Sequence, residues 1–379
     1  MSSENEASIT SDKFLKTYNK LLHDALGNEV QLRGVNAGGW LIQEKWMNST
    51  NAPDQKTMMD TFKSRFGAET RDELIAIYED TYWSTSDFDN LQKLGANVVR
   101  LPFTYMNLVD DNRNLKTNAW TRIDWFIDNC SKRGIYVLLD MHGAFGSQNG
   151  MDHSGEINDG HQLYDNDDNK NKTLWLWGEI AKRYKGNATI AGYDILNEPG
   201  IKAGLTNKTQ WDFYDKIYQQ IRKIDADHII IMEACWNPSD LPKPQTYGWE
   251  NIIYEYHYYP WDSQKDLDGQ KKFFDSKVTD VQKAGYNLPT FVGEFNAFDL
   301  MEAWQYAINT FNLNKWSWTV WSYKSKYAKS NWGIYNDTPS DVDIYNDTAD
   351  VIKGKWLKVG SDNTTVNNSL YDIMKAGFK

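Results

Sequence analysis

The chain reads as an α/β protein of the (β/α)8 TIM-barrel class, a single domain with extended loops at the carboxyl face of the barrel. Three observations predict this. Eight short apolar runs recur along the chain, amphipathic helical segments lie between them, and polar and charged residues gather at the carboxyl ends of the runs. The length of 379 residues suits one barrel with insertions.

The runs fall at residues 31–36, 97–103, 135–142, 190–198, 228–234, 252–259, 289–295 and 316–323. Most are continuously apolar, as expected of strands covered on both faces. Between them, residues 119–133 place Trp120, Ile123, Phe126 and Ile127 on one stripe of a helix, and 173–185 and 210–224 keep the same period. Gly134 and Gly186 stand just beyond the helix ends, where a left-handed cap favours glycine. Strict alternation over eight runs argues for a closed barrel rather than an open doubly wound sheet.

Residues 1–28 read as a polar lead-in with a short helical or turn segment, and 29–379 as the barrel domain. Three stretches break the regular spacing: a helical insertion at 55–82, a polar loop at 143–171 after the third run, and an excursion at 336–368 after the eighth. Long loops after barrel strands are where binding sites are built.

Composition narrows the function. The net charge of −11, with no basic tract, gives no electrostatic support to nucleic-acid or anionic-membrane binding. Seventeen Trp and 22 Tyr suit a large core with amphipathic edges, and a few of these rings near strand ends suit sugar stacking. Cys130 and Cys235 lack metal or redox spacing and read as free thiols. No run reaches membrane-spanning length, and the N-terminal MSSENEASIT lacks the plan of a signal peptide. The chain as it stands is expected in the cytoplasm, or outside the cell if a leader was removed. A monomer without cofactor is expected.

Residues at the carboxyl ends of barrel strands share one mouth. The second run ends with Arg100, the third with His142, the fourth with Asn197 and Glu198, the sixth with His257 and Tyr259, the seventh with Glu294 and the eighth with Trp321. Either glutamate alone is explained by a buried ion pair with Arg or Lys. Two at strand ends, with this polar company, point to chemistry that needs two carboxyl groups facing one bond. Glycoside hydrolysis has that requirement: one carboxylic acid protonates the leaving oxygen while the other carboxylate attacks the anomeric carbon or activates water. No His/Asp/Glu set has metal-ligand spacing.

Seven segments in order then carry a resemblance: GVNAGGWLIQEKW (34–46), NVVRLPF (97–103), DMHGAFGSQNG (140–150), ILNEP (195–199), EYHYY (255–259), VGEF (292–295) and VWSYK (320–324). Together they resemble glycoside hydrolase family 5, the clan A cellulase and exo-glucanase family. The resemblance implies a retaining mechanism with Glu198 as acid/base and Glu294 as nucleophile. It implies that Arg100 and Tyr259 orient Glu294, that Asn197 donates to the sugar 2-hydroxyl, that His142 and His257 line the −1 subsite, and that Trp321 floors it. The acid role calls for a raised pKa at Glu198.

The first segment and HGAFGSQNGMDHSG (142–155) resemble the exo-β-1,3-glucanase branch most closely. In that branch Glu44 and Asp152 grip the terminal glucose, although each reads equally as a loop-stabilising carboxylate. Phe145 stands where the branch usually has proline, and His153 where it usually has asparagine. The expected activity is release of sugar from β-glucan or β-glucoside ends. An endo-β-1,4-glucanase or β-mannanase is the alternative, since Trp-rich segments suit a long cleft. A non-hydrolytic carbohydrate-binding protein is the alternative of another class.

Overall fold

The computed structural model describes residues 8–200, 204–234, 236–326 and 331–379, so Cys235 lies outside the described residues. Eight parallel strands close into a barrel: β1 (Arg33–Asn36), β2 (Val98–Thr104), β3 (Tyr136–Gly143), β4 (Ile190–Asp194), β5 (Ile229–Glu233), β6 (Ile252–Tyr258), β7 (Thr290–Phe295) and β8 (Ser317–Val320). β8 pairs with β1, so no strand of the ring has a free edge. Each predicted run overlaps one strand, β2 and β3 reaching one residue beyond theirs. The fourth and eighth runs outlast their strands, because 195–198 and 321–323 have already turned away into the mouth of the barrel.

Register brings particular residues together. Asn36 lies opposite Arg100, Asp140 opposite Asp194, and Glu233 opposite Glu255. Two irregularities re-aim side chains at the rim. The β2–β3 pairing shifts after Phe103, leaving His142 as the extra residue, and the β6–β7 pairing shifts at Gly293, just before Glu294. Gly293 is glycine for want of space: a Cβ there would lie 1.5 Å from Glu255 Oε1.

The base of the barrel is apolar. Val98, Leu138, Ala191, Ile229, Ile231, Ile253 and Phe291 point down onto Leu15, Leu22 and Leu32. Leu15 and Leu22 come from the segment expected to be a lead-in. Lys16–Tyr18 and Leu21–His23 form an antiparallel hairpin, joined by Glu29–Val30, that stoppers the barrel. Its alternation is too short to reveal a strand pair until the barrel supplies an apolar surface to cover.

Outside lie the helices. The 55–82 insertion is two helices, α1 (Gln55–Phe66) and α2 (Ala68–Tyr82), broken at Gly67, whose φ of 88° suits glycine. Asp54 caps α1 by accepting from Thr57 N at 2.6 Å. Next come α3 (Thr85–Leu94) and α4 (Thr121–Ser131). α5 (Asp167–Tyr184) begins inside the stretch expected to be loop, since Asn166 caps it with bonds to the amides of Asp168 and Asn169. α6 (Asn207–Arg222), α7 (Leu267–Ala284) and α8 (Met301–Leu313) follow. The 336–368 excursion packs against the insertion through α9 (Ala349–Trp356): buried Trp356 meets the rings of Phe62 and Tyr78 at 5.7 and 5.2 Å.

Leu22 is 3% exposed and sits against the bottom of the ring. Leu22→Ala is expected to lower stability by about 3 kcal/mol through lost burial and a residual cavity. Specific activity at moderate temperature should stay near wild type, because the mouth is untouched. Urea denaturation followed by fluorescence checks this; an unchanged midpoint would show that the hairpin does not stopper the barrel.

Candidate active site

Arg100, at 0% exposure on β2, organises the barrel mouth. Its Nε donates to Asp194 at 2.8 Å and lies 3.3 Å from Glu255; Nη1 donates to Glu294 at 3.0 Å and to Asn36 at 3.1 Å and faces Asp140; Nη2 donates to Asn197 at 2.8 Å. Burial disfavours the guanidinium charge, but Asp140, Glu255, Asp194 and Glu294 outweigh it and raise its pKa well above the usual value. The carboxyl groups are too many for one cation. Burial lifts Asp140 to about 8, Glu255 to about 7 and Asp194 to about 6. The cluster therefore holds protons of its own at neutral pH.

Glu294 leaves β7 with both oxygens engaged: Oε1 accepts from Arg100, and Oε2 accepts from Tyr259 Oη at 2.7 Å. Glu198 sits beyond β4 with φ of 39°, a left-handed conformation rare outside glycine and common at working sites. Two contacts hold that backbone. Glu198 N donates to Glu233 Oε2 at 2.5 Å, and Glu198 O accepts from Asn149 Nδ2 at 3.0 Å. His257 lies between the two glutamates, with Nδ1 2.7 Å from Glu198 Oε1 and 3.6 Å from Glu294 Oε2. One oxygen of each glutamate therefore faces the same ring nitrogen.

Of the residues selected from sequence, Arg100, His142, Asn197, Glu198, His257, Tyr259 and Glu294 converge here. His142 Nδ1 bonds Asp140 at 2.7 Å, and burial keeps the imidazole neutral. Its ring stacks on Trp321 at 5.3 Å. Asn197 Nδ2 is buried without a protein partner, a donor free for a hydroxyl. Glu44 reaches the same space. Oε2 accepts from Trp46 Nε1 at 2.6 Å, Oε1 is buried without a partner, and burial lifts the carboxyl to about 7. Asp152 stays on the rim, its Oδ1 3.9 Å from His153 Nδ1.

One expectation is corrected. Glu198 does not have a raised pKa. Burial pushes it up, but His153, whose Nε2 lies 3.1 Å from Oε2, and then His257 outweigh burial and hold it well below the usual carboxylate range. His153 moves the other way: against its own burial, Glu198 lifts it to about 9.

The sequence reading passed over Glu233 and Asn149, and singled out His153 only as a departure from the branch in the loop after β3. Glu233 ends β5 and was detectable by the same strand-end rule. His153 and Asn149 lie in the loop after β3, where only folding places them on Glu198. Among the described residues, Glu198, Glu233 and His257 bring ligand-type atoms within 4.8 Å of one another. His257 has a carboxylate at each ring nitrogen, Glu198 at Nδ1 and Glu255 at Nε2, and a pKa raised well above the usual value chiefly by Glu233 and Glu294 acting against burial.

A family model described as cellulase (glycosyl hydrolase family 5) matches residues 59–327. A beta-xylosidase of Phanerodontia chrysosporium is 28% identical over 86% of this chain and 74% of that protein. A probable glucan 1,3-beta-glucosidase A of Aspergillus fumigatus is 28% identical, with 70% and 65% covered. The glucan 1,3-beta-glucosidase of Candida oleophila is 29% identical, with 63% and 60% covered. The match thus spans less than two thirds of these glucosidases' length. A rutinosidase from Aspergillus niger superposes with a TM-score of 0.65 at 16% identity, covering 92% of this chain and 100% of that one. An endoglucanase from Thermotoga maritima superposes at 0.57 and 20% identity, covering 90% and 96%. At these identities the structures establish the shared barrel.

Glu233→Ala removes the acceptor for Glu198 N and frees the strained backbone. The expected outcome is a loss of about 100-fold in kcat, with KM little changed and the fold retained, since a displacement near 1 Å suffices for that loss. Steady-state kinetics beside circular dichroism checks it; unaltered kcat would show that Glu233 does not hold Glu198.

Proposed function

Because the chain belongs to glycosyl hydrolase family 5, we propose that it is a retaining hydrolase of β-glucosidic bonds, acting from chain ends on β-1,3-glucan or on β-glucosides. The observation that carries this reading is the pair Glu198 and Glu294, facing each other across His257 Nδ1, with Arg100 and Tyr259 donating to Glu294.

In the proposed reaction Glu294 attacks the anomeric carbon while the glycosidic C–O bond breaks, and the departing oxygen takes a proton from Glu198. The product is a glycosyl ester on Glu294. Water then attacks the same carbon, its proton passes to Glu198, and the ester bond breaks with net retention. Arg100 and Tyr259 keep Glu294 aimed, and the free Asn197 Nδ2 meets the 2-hydroxyl, a bond that strengthens in the transition state. Glu44, with its buried unpartnered Oε1, supplies an acceptor for hydroxyls of the terminal sugar. Trp46, Trp321, Trp332 and Tyr259 form one apolar cluster beside the carboxyl pair, suited to stacking on sugar faces.

The names of the glucosidase relatives favour β-1,3-glucan. A second reading, hydrolysis of β-xylosides, is favoured by the beta-xylosidase relative, which covers the larger share of the chain. Hydrolysis of laminari-oligosaccharides and of nitrophenyl β-glucoside and β-xyloside, with NMR of the released anomer, decides between them. β-Glucose released one unit at a time is expected. Faster release of β-xylose would move the enzyme to the second reading, and internal cleavage of β-1,4-glucan or mannan alone would move it to endo action.

Glu294→Ala is expected to abolish turnover without unfolding the barrel, and added azide should restore bond cleavage with an α-glycosyl azide as product. A β-azide would overturn the nucleophile assignment.

A further inference from the structure

We propose that His153 is a positioning residue that shares one proton with Glu198, so that the pair, rather than the glutamate alone, stores the proton delivered to the leaving oxygen. The inference rests on the reading of Glu198 as acid/base.

The geometry supports both places for that proton. With the proton on His153, an imidazolium donates from Nε2 to Glu198 Oε2 across 3.1 Å. With the proton on Glu198, Nε2 must accept, and a neighbour already suits that state. Asn149 Nδ2 lies 2.8 Å from His153 Nε2. The amide cannot turn its oxygen there instead, because Nδ2 also donates to Glu198 O at 3.0 Å and Oδ1 accepts from Met151 N at 2.8 Å. A fixed donor thus faces Nε2 and favours its lone pair, while the charge of the Glu198 carboxylate favours the imidazolium. The two influences oppose each other at Nε2.

Other groups facing His153 set the level at which the pair loses its proton. Glu44 approaches from the loop after β1 and Asp152 from its own loop, with Oδ1 3.9 Å from Nδ1. His142 stands 6.5 Å away ring to ring and is neutral. His257 holds the other oxygen of Glu198. Glu198, Glu44 and Asp152 outweigh burial and lift His153 to about 9.

The protons balance through the cycle. In the first displacement the shared proton moves from Glu198 to the departing oxygen, leaving carboxylate and neutral imidazole. In the second, the proton of the attacking water returns through Glu198 to the pair. No co-reactant is needed. The working form carries one shared proton, so activity is present below the pKa of the pair and falls as pH rises through it.

Two measurements test this. The first is the pH profile of kcat/KM on laminaribiose for wild type and His153→Asn, whose amide fills similar space but cannot store a proton. The alkaline limb is expected to move down by about two units or more in the variant, with activity below the new limb retained within about tenfold. An unmoved limb would overturn the proposal and leave His153 as a contact only. The second needs no turnover. Imidazole 15N shifts should show His153 titrating near 9 in wild type and at least about one unit lower in Glu198→Gln, which keeps the shape and removes the charge. An unchanged titration would overturn it even if His153→Asn misfolded. Failure of the acid/base reading would look different: Glu198→Gln would then keep its activity on substrates with poor leaving groups while the His153 titration still responded to the substitution.

Discussion

A single buried cation orders the top of this barrel. Arg100 is withdrawn from water, and removing a guanidinium from water is costly unless its hydrogens are met in kind. The structure meets them with Asp194, Glu294, Asn36 and Asn197, and sets Asp140 and Glu255 at ion-pair distance. Those partners come from β1, β3, β6, β7, β4 and the turn that follows β4, so one side chain ties together most of the ring at the level where substrate would enter. The base is apolar by contrast: Leu15, Leu22 and Leu32 cover the lower ring residues.

The excess of carboxyl groups around Arg100 has its own consequence. With Asp140, Glu255 and Glu233 all raised by burial, protons are retained inside the cluster at neutral pH. His257 is drawn into the imidazolium form and spans Glu198 and Glu294. The electrostatic setting of the two proposed reacting carboxyl groups is therefore a property of the whole cluster. Coupled groups of this kind titrate in steps that belong to the set. The strained φ of Glu198 fits the same picture: Glu233 and Asn149 grip its peptide from both sides, and the surrounding structure over-determines a conformation that local preference disfavours.

Much of this was legible in the sequence. Continuous apolar runs alternating with helical periods specify buried parallel strands, and eight of them specify a closed ring, because that information is local and repeats. The strand-end rule also picked out Arg100, His142, His257 and Glu294, since position along a strand sets height in the barrel, and Asn197 just beyond β4. Tertiary structure alone decided the remainder. The hairpin at Lys16–His23 exists because the open base needs an apolar stopper. His153 and Asn149 meet Glu198 because the loop after β3 folds back over the mouth. The pKa of Glu198 is shifted opposite to expectation for the same reason. A residue's place on a strand is encoded by its neighbours in sequence, whereas the field around a buried carboxyl group is set by charges that lie far away in sequence and close in space.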